Sequence, residues 1–455
     1  MTFSIPGGRL GRGRQPLFRH PSQVVVSAFA ATIALGAGLL MLPVSRAGEG
    51  HASFVEALFT STSAVCVTGL VVVDTASYWS GFGEVVILAL IQVGGFGIMT
   101  TASLLGLVIA RRMGLRSRLT AAAETKSLGI GDVRSVLLGV AKVSALFEVV
   151  TAVLLTGRLV IGYDEPLGRA THLGVFHAIS AFNNAGFALY EDSLMRFVTD
   201  PWICLPVAAA VIVGGLGFPV VLELRRQLRP RSWSTHAKLT VGMTGLLLVL
   251  GTLFVTTSEW SNPATLGALD TRGRLLAGFF HAVMPRTAGF NSLDVGAMNE
   301  GTWLGTTVLM FIGGGSAGTA GGIKVTTFIL LFFVIYAEVR GEPSVRAFDR
   351  RIDARVQRQA LTVALLSVGA VVGSTLVLMQ ATDFALGEVL FEATSAFATV
   401  GLSTGITAEF PEAGQLMLAG LMFLGRLGPV TLVSALALRE RQTLYQLPEG
   451  RPIIG

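Results

Sequence analysis

Four short stretches decide how this chain folds: FTSTSAVCVTG (59–69), FHAISAFNNAG (176–186), FHAVMPRTAG (280–289) and FEATSAFATVG (391–401). Each starts with Phe and ends at a glycine: Gly69, Gly186, Gly289 and Gly401. The third is one residue shorter. A helix that crosses a bilayer takes about 20 apolar residues. These stretches are too short and too polar for that, and fit re-entrant half-helices that run into extended backbone.

Working outward, a long apolar run precedes each stretch and another follows it. The following runs carry a second mark: QVGGFGIMT (92–100), IVGGLGFPV (212–220), FIGGGSAGT (311–319) and FLGRLGPVT (423–431). Their first glycines, Gly94, Gly214, Gly313 and Gly425, lie 24 to 28 residues after the loop glycines. Glycine in mid-helix permits close helix contact or leaves lumen space. Two marks recurring in one order four times define an internal repeat. The expected blocks are 23–118, 119–232, 233–345 and 346–440, between an N-terminal segment 1–22 and a C-terminal tail 441–455.

Composition agrees with a membrane protein. Hydrophobic residues make up 52% of the chain and charged residues 14%, with mean hydropathy +0.67. Soluble domains carry about a quarter charged residues. Cys66 and Cys204 are the two cysteines, which excludes a disulfide framework, and no transition-metal spacing occurs. No nucleophile–base set, H-E-x-x-H, phosphate loop or dinucleotide fingerprint is present, so no catalytic residue is assigned and an enzyme is not expected. The apolar run from Val24 to about Val44 follows Arg9, Arg12, Arg14 and Arg19. It is long for a signal core and is read as a retained first helix.

Charge sets orientation. Residues 1–22, 110–135, 223–238, 338–358 and 438–455 hold 24 Lys/Arg and nine Asp/Glu; the opposite side holds seven and 18. The basic side is expected to be cytoplasmic, with both termini. Each block then crosses twice, giving eight transmembrane helices plus four re-entrant pore helices. All four loops dip in from outside, and parallel repeats of this kind can surround a pseudo-fourfold pore. The fold class expected is an all-α polytopic membrane protein in the plasma membrane.

A cation entering hydrocarbon needs oxygens in place of its water, and rings of backbone carbonyls supply them in potassium filters. The candidate filter is Cys66, Val67, Thr68 and Gly69; Asn183, Asn184, Ala185 and Gly186; Arg286, Thr287, Ala288 and Gly289; Ala398, Thr399, Val400 and Gly401. External acids Asp74, Glu191, Asp192, Asp294, Glu300, Glu409 and Glu412 would concentrate cations as a group. Stacking puts Arg426 where the other marks have Gly95, Gly215 and Gly314. An intramembrane arginine faces either a polar cavity, here the pore, or helix-end carbonyls. The run Gly313, Gly314, Gly315, Ser316, Ala317, Gly318, Thr319, Ala320, Gly321, Gly322 predicts a broken helix and a movable plug beside Arg426. Lys324 either faces the vestibule or snorkels. The competing class is a sodium- or proton-coupled secondary cation transporter, which calls for inverted repeats and buried acids.

With the four glycine loops, GGIKVTT (321–327) and GRLGPVT (425–431), the chain resembles the Trk/Ktr/HKT potassium-transport superfamily over nearly its whole length, most like the Ktr membrane subunit. The resemblance implies potassium uptake, a homodimer with one pore per subunit, and control by a cytoplasmic KtrA-like RCK ring. Gly69, Gly186, Gly289 and Gly401 would be the filter glycines, 313–322 the intramembrane gate loop and Arg426 the pore arginine. It implies K+ as transported ion, Na+ as a possible regulator, and ATP/ADP or NAD only on the partner. Cofactors in this chain and nucleic-acid partners are not expected. Cys66 and Pro285 are unusual choices beside pore loops.

Overall fold

The computed structural model describes residues 21–112, 133–227, 229–348 and 350–428. Most of the expected N-terminal segment, the basic stretch 113–132 and the tail lie outside the described residues.

The first block runs through α1 (Pro21–Leu40), α2 (Phe54–Cys66) and α3 (Gly81–Arg112). The second has α4 (Val133–Tyr163), α5 (Leu167–Phe182), α6 (Pro201–Leu216) and α7 (Phe218–Arg226). The third has α8 (Thr235–Glu259), α9 (Thr271–Val283), α10 (Glu300–Phe311) and α11 (Val325–Val339). After a small hairpin, β1 (Arg346–Ala347) against β2 (Arg350–Arg351), the fourth has α12 (Ala354–Ala381), α13 (Leu386–Ala398) and α14 (Glu412–Leu427). Among the described residues, the helices that open the blocks, α1, α4, α8 and α12, are each long and apolar enough to cross a membrane.

The interior is apolar, and the outer surface of the long helices is apolar as well. The long helices expose apolar side chains such as Val153 and Ile161 on α4, Leu253 on α8 and Leu365 on α12. The short helices α2, α5, α9 and α13 form the centre. Their shared phenylalanines, Phe59, Phe176, Phe280 and Phe391, are 0–1% exposed. Local chemistry starts these helices. Ser53 Oγ accepts from the Glu56 amide at 3.2 Å while Glu56 accepts from the Ser53 amide at 2.7 Å, a reciprocal cap for two helix-end donors. Asp270 accepts from the Gly273 amide at 2.9 Å on α9. Glu388 accepts from the Ala385 amide at 3.0 Å on α13.

The mark glycines are places where backbone meets backbone. A Cβ at Gly94, Gly214 or Gly425 would collide with the carbonyl oxygen of Val65, Phe182 or Phe397. Each of those carbonyls sits four residues before a loop glycine, so the second helix leans on the end of its own block's short helix. Gly313 differs, because a Cβ there would meet the Gly321 carbonyl of its own loop.

The sequence singles out the third block's second helix as broken; regular helix is also interrupted in the second block and ends early in the fourth. The second block's helix bends by 101° between α6 and α7, at Gly217 with φ +92° and ψ 143°. The fourth block's α14 stops at Leu427, with Gly428 at φ +84° and ψ 138°. Both glycines lie three residues past their mark glycine, in a region that a Cβ denies to other residues. Pro219 then stands in the first turn of α7, where its missing N–H costs nothing. In the third block regular helix is absent between Phe311 and Val325, and the Gly313 amide instead donates to Ile323 O at 2.8 Å.

The close approach is testable within one helix. Gly425→Ala should lower stability in detergent by about 1–3 kcal/mol through overpacking. Gly420→Ala, where nothing lies within 4 Å of the added atom, should be neutral or slightly stabilising. Equal thermal unfolding for the two variants would contradict the backbone contact.

Candidate ion-path site

The four loop glycines abut in a closed ring. A Cβ built on Gly69 would lie 3.0 Å from the Gly186 Cα; on Gly186, 3.1 Å from the Gly289 Cα; on Gly289, 2.9 Å from the Gly401 Cα; on Gly401, 3.1 Å from the Gly69 Cα. The carbonyls of Ala185, Ala288, Val400 and Thr68 stand in the same gaps. All four glycines have positive φ, between 71° and 93°. Two residues earlier, Val67, Asn184, Thr287 and Thr399 are also left-handed, at φ 50–68°. Left-handed backbone at a β-branched residue is strained, so surrounding bonds must hold it.

Those bonds recur in blocks one and four. The Thr68 amide donates to Ser63 O at 2.8 Å and the Gly69 amide to Ser63 Oγ at 3.1 Å. The Val400 amide donates to Ser395 O at 2.8 Å and the Gly401 amide to Ser395 Oγ at 3.1 Å. In block two the Ala185 amide donates to Ser180 O at 2.7 Å, and Ser180 Oγ donates to Phe187 O at 2.8 Å. The serine six residues before the glycine was visible in three of the four stretches and went unread. The shorter third stretch has Val283 there, and Met284 O accepts from the Ala288 amide at 3.0 Å instead. Cys66 and Ala398 are the last residues of α2 and α13, so those two segments leave the helix one residue later than expected. The hydroxyls of Thr68, Thr287 and Thr399 have no protein partner among the described residues.

The glycine run of the third block lies beside this ring. The Gly315 amide donates to Gly215 O at 2.7 Å, the Thr319 amide to Gly214 O at 3.2 Å, and the Phe218 amide to Ala317 O at 3.2 Å. Thr319 Oγ1 also donates to Asn184 Oδ1 at 2.8 Å. On the other flank, a Cβ at Gly321 would collide with the Thr399 hydroxyl, and one at Gly322 would touch Ala398. Gly313 and Gly314 sit at the loop's entrance, Ser316 Oγ lies 3.2 Å from Thr326 Oγ1, and Ala317 has φ +59°. The segment therefore spans from the bend in block two to the segment of block four.

Two cations hold it. Arg426, 4% exposed, donates through Nη1 to Thr319 O and through Nη2 to Gly94 O at 3.3 Å. Lys324 turns back and donates through Nζ to Ala320 O, with Gly321 O at 3.5 Å. Three successive loop carbonyls thus face positive charge, and Arg426 links the loop to α3 on another block.

Two carboxylate clusters escaped the sequence reading. Glu148 on α4 accepts from Gln92 Nε2 at 3.1 Å and from Asn183 Nδ2 at 3.2 Å, while Asn183 Nδ2 also lies 2.8 Å from Gln92 Oε1. Gly95 is where Asn183 Oδ1 presses on α3. Fully buried Glu392 on α13 accepts from Ser403 Oγ at 2.6 Å, the Thr404 amide at 2.9 Å and Thr407 Oγ1 at 2.8 Å, clamping the chain that leaves the fourth segment. Several of the acids expected on the external side make local bonds: Asp74 caps the Ser77 amide at 2.8 Å, Asp192 pairs with Arg196 at 2.7 Å, and Asp294 accepts from the Gly296 amide at 3.0 Å.

Known proteins share this chain's pattern. The family profile described as TrkH, cation transport protein, matches residues 9–444. The Ktr system potassium uptake protein B of Bacillus subtilis (strain 168) is 42% identical over 439 residues, 96% of this chain and 97% of that protein. The Ktr system potassium uptake protein B of Vibrio alginolyticus is 36% identical over 461 residues, 100% and 98% of the two. The crystal structure of the potassium transporter TrkH from Vibrio parahaemolyticus has a TM-score of 0.73 at 17% identity, over 93% of this chain and 86% of that one. At that identity the likeness is one of fold. A profile that spans nearly the whole chain, and relatives similar over their full lengths, make this multi-pass membrane protein a member of the TrkH/Ktr family of cation transport proteins.

Proposed function

We propose that the chain takes up potassium through the glycine ring, with the backbone carbonyls of the four segments replacing the ion's water. One observation carries this reading: Gly69, Gly186, Gly289 and Gly401 meet cyclically, each denying space to a Cβ on its neighbour. Four non-helical backbones brought that close leave their carbonyls as the oxygens available to a cation at membrane depth. The blocks 23–118, 119–232, 233–345 and 346–440 then contribute one segment each around a pseudo-fourfold axis. The names of the full-length relatives, potassium uptake proteins, support the same ion.

The loop 313–322 is the gate in this reading and Arg426 its latch. The guanidinium ties Thr319 to α3, so opening requires that the Arg426–Thr319 contact break or move. The basic face formed by the stretches between blocks is the docking side for a cytoplasmic nucleotide-binding RCK ring, and the protein works as a homodimer. The plasma membrane, with the basic side inward, follows from the charge asymmetry.

Potassium-limited growth of an uptake-deficient cell, with the regulatory subunit supplied, is the first check; rescue is the expected outcome. Failure despite folded membrane expression would overturn the transport reading. Gly401→Ser forces an atom against the Thr68–Gly69 backbone and should lower the K+/Na+ preference, where each 1.4 kcal/mol lost is about tenfold, more than it lowers the amount of folded protein. Unchanged ion preference in serine variants at all four glycines would remove the filter assignment. Arg426→Ala should raise basal flux in liposomes, because the loop loses its tie to α3. Unaltered basal flux in a folded variant would leave Arg426 a purely structural residue.

A further inference from the structure

Arg286 and Asn183 occupy the same place in their segments, three residues before Gly289 and Gly186. Asn183 reaches the crevice between α3 of the preceding block and α4 of its own, and finds Gln92 and the Glu148 carboxylate there. Arg286 reaches the corresponding crevice between α6 and α8. Its walls are Val211, Ile212, Gly215, Thr244, Leu248 and Gly314, around a cavity of about 10 Å³. Ile212 stands where Gln92 does, two residues before the mark glycine, and no carboxylate lines the space.

The Arg286 side chain is nonetheless buried, at 5% exposure. Nη1 has no acceptor, and the residue is in no ion pair among the described residues. Across the same cavity the Thr244 hydroxyl has no partner either. The Arg286 backbone is fixed, since its carbonyl accepts from Asn184 Nδ2 at 3.3 Å. A guanidinium withdrawn from water without a counter-charge is strongly destabilising, and orphaned buried donors call for a bound water or ion. The space suits a single small particle.

We propose that this cavity binds one chloride ion, held by Arg286 Nη1 and the Thr244 hydroxyl, where the sister crevice has the Glu148 carboxylate. A water would accept the hydrogen bond and leave the charge; a halide answers both. The ion would also cancel a fixed positive charge three residues from a ring glycine, and it would sit against Gly314 at the start of the glycine run. The site rests on the crevice geometry alone and stands apart from the potassium reading.

Two measurements on the purified full-length protein test it without recourse to transport. Crystals soaked in bromide, measured at the bromine absorption edge, should give an anomalous peak between Arg286 and Thr244. Thermal unfolding at constant potassium and ionic strength should shift upward as bromide or chloride replaces gluconate, since a ligand of the native state stabilises it. Thr244→Val keeps the volume and removes one donor, so the apparent halide affinity should fall about fivefold. Arg286→Gln should abolish the shift, and Thr244→Val keeps the test open if that variant does not fold. No anomalous peak at the cavity together with a halide-independent unfolding temperature would overturn the proposal. So would a halide shift that Thr244→Val leaves untouched, because the ion would then sit elsewhere.

Discussion

The described residues are arranged around a place where four backbones come too close for a Cβ. At the ring, Gly69, Gly186, Gly289 and Gly401 each face the next segment's glycine and the carbonyl before it. The helices that support the segments obey the same limit one layer out. Gly94, Gly214 and Gly425 let the second helices rest on carbonyls four residues before the ring. Backbone polar groups that would be ruinous against lipid become tolerable because they are enclosed by protein. Apolar side chains fill the interior around the short helices, and further apolar side chains on the long helices face hydrocarbon.

The third block breaks this pattern, and the break is where charge enters. Gly313 meets its own loop rather than the end of α9, so the chain between α10 and α11 is released from helix. Its freed carbonyls need donors, and Arg426 and Lys324 supply them at Thr319, Ala320 and Gly321. Each cation bonds at least one loop carbonyl, and the loop gains two anchors on different elements. A carbonyl–guanidinium contact is weaker than an ion pair with a carboxylate.

Much of this was legible in the sequence because it is carried by residue types at fixed spacing. The four ring glycines, the four buried phenylalanines and the glycine run could be read by stacking the blocks. The serines at 63, 180 and 395 were equally readable, since a hydroxyl six residues before a left-handed glycine is a local device. The bend at Gly217 was less so. Gly97 holds the same register and α3 continues through it, so the glycine alone did not mark the bend; Pro219, two residues after Gly217, is the difference. The Glu148–Gln92–Asn183 cluster was not legible. Its members are 35 to 91 residues apart, and a polar residue on an apolar helix does not announce its partner. The acids read as a group mark the opposite limit: Asp74, Asp192 and Asp294 serve their own turns and a neighbouring arginine.

The most direct measurement on the central claim is the anomalous signal of rubidium in crystals grown with it in place of potassium. Discrete peaks enclosed by the backbones of residues 66–69, 183–186, 286–289 and 398–401 are the expected result. Rubidium found only outside the ring, with the four segments in contact and no site between them, would contradict it.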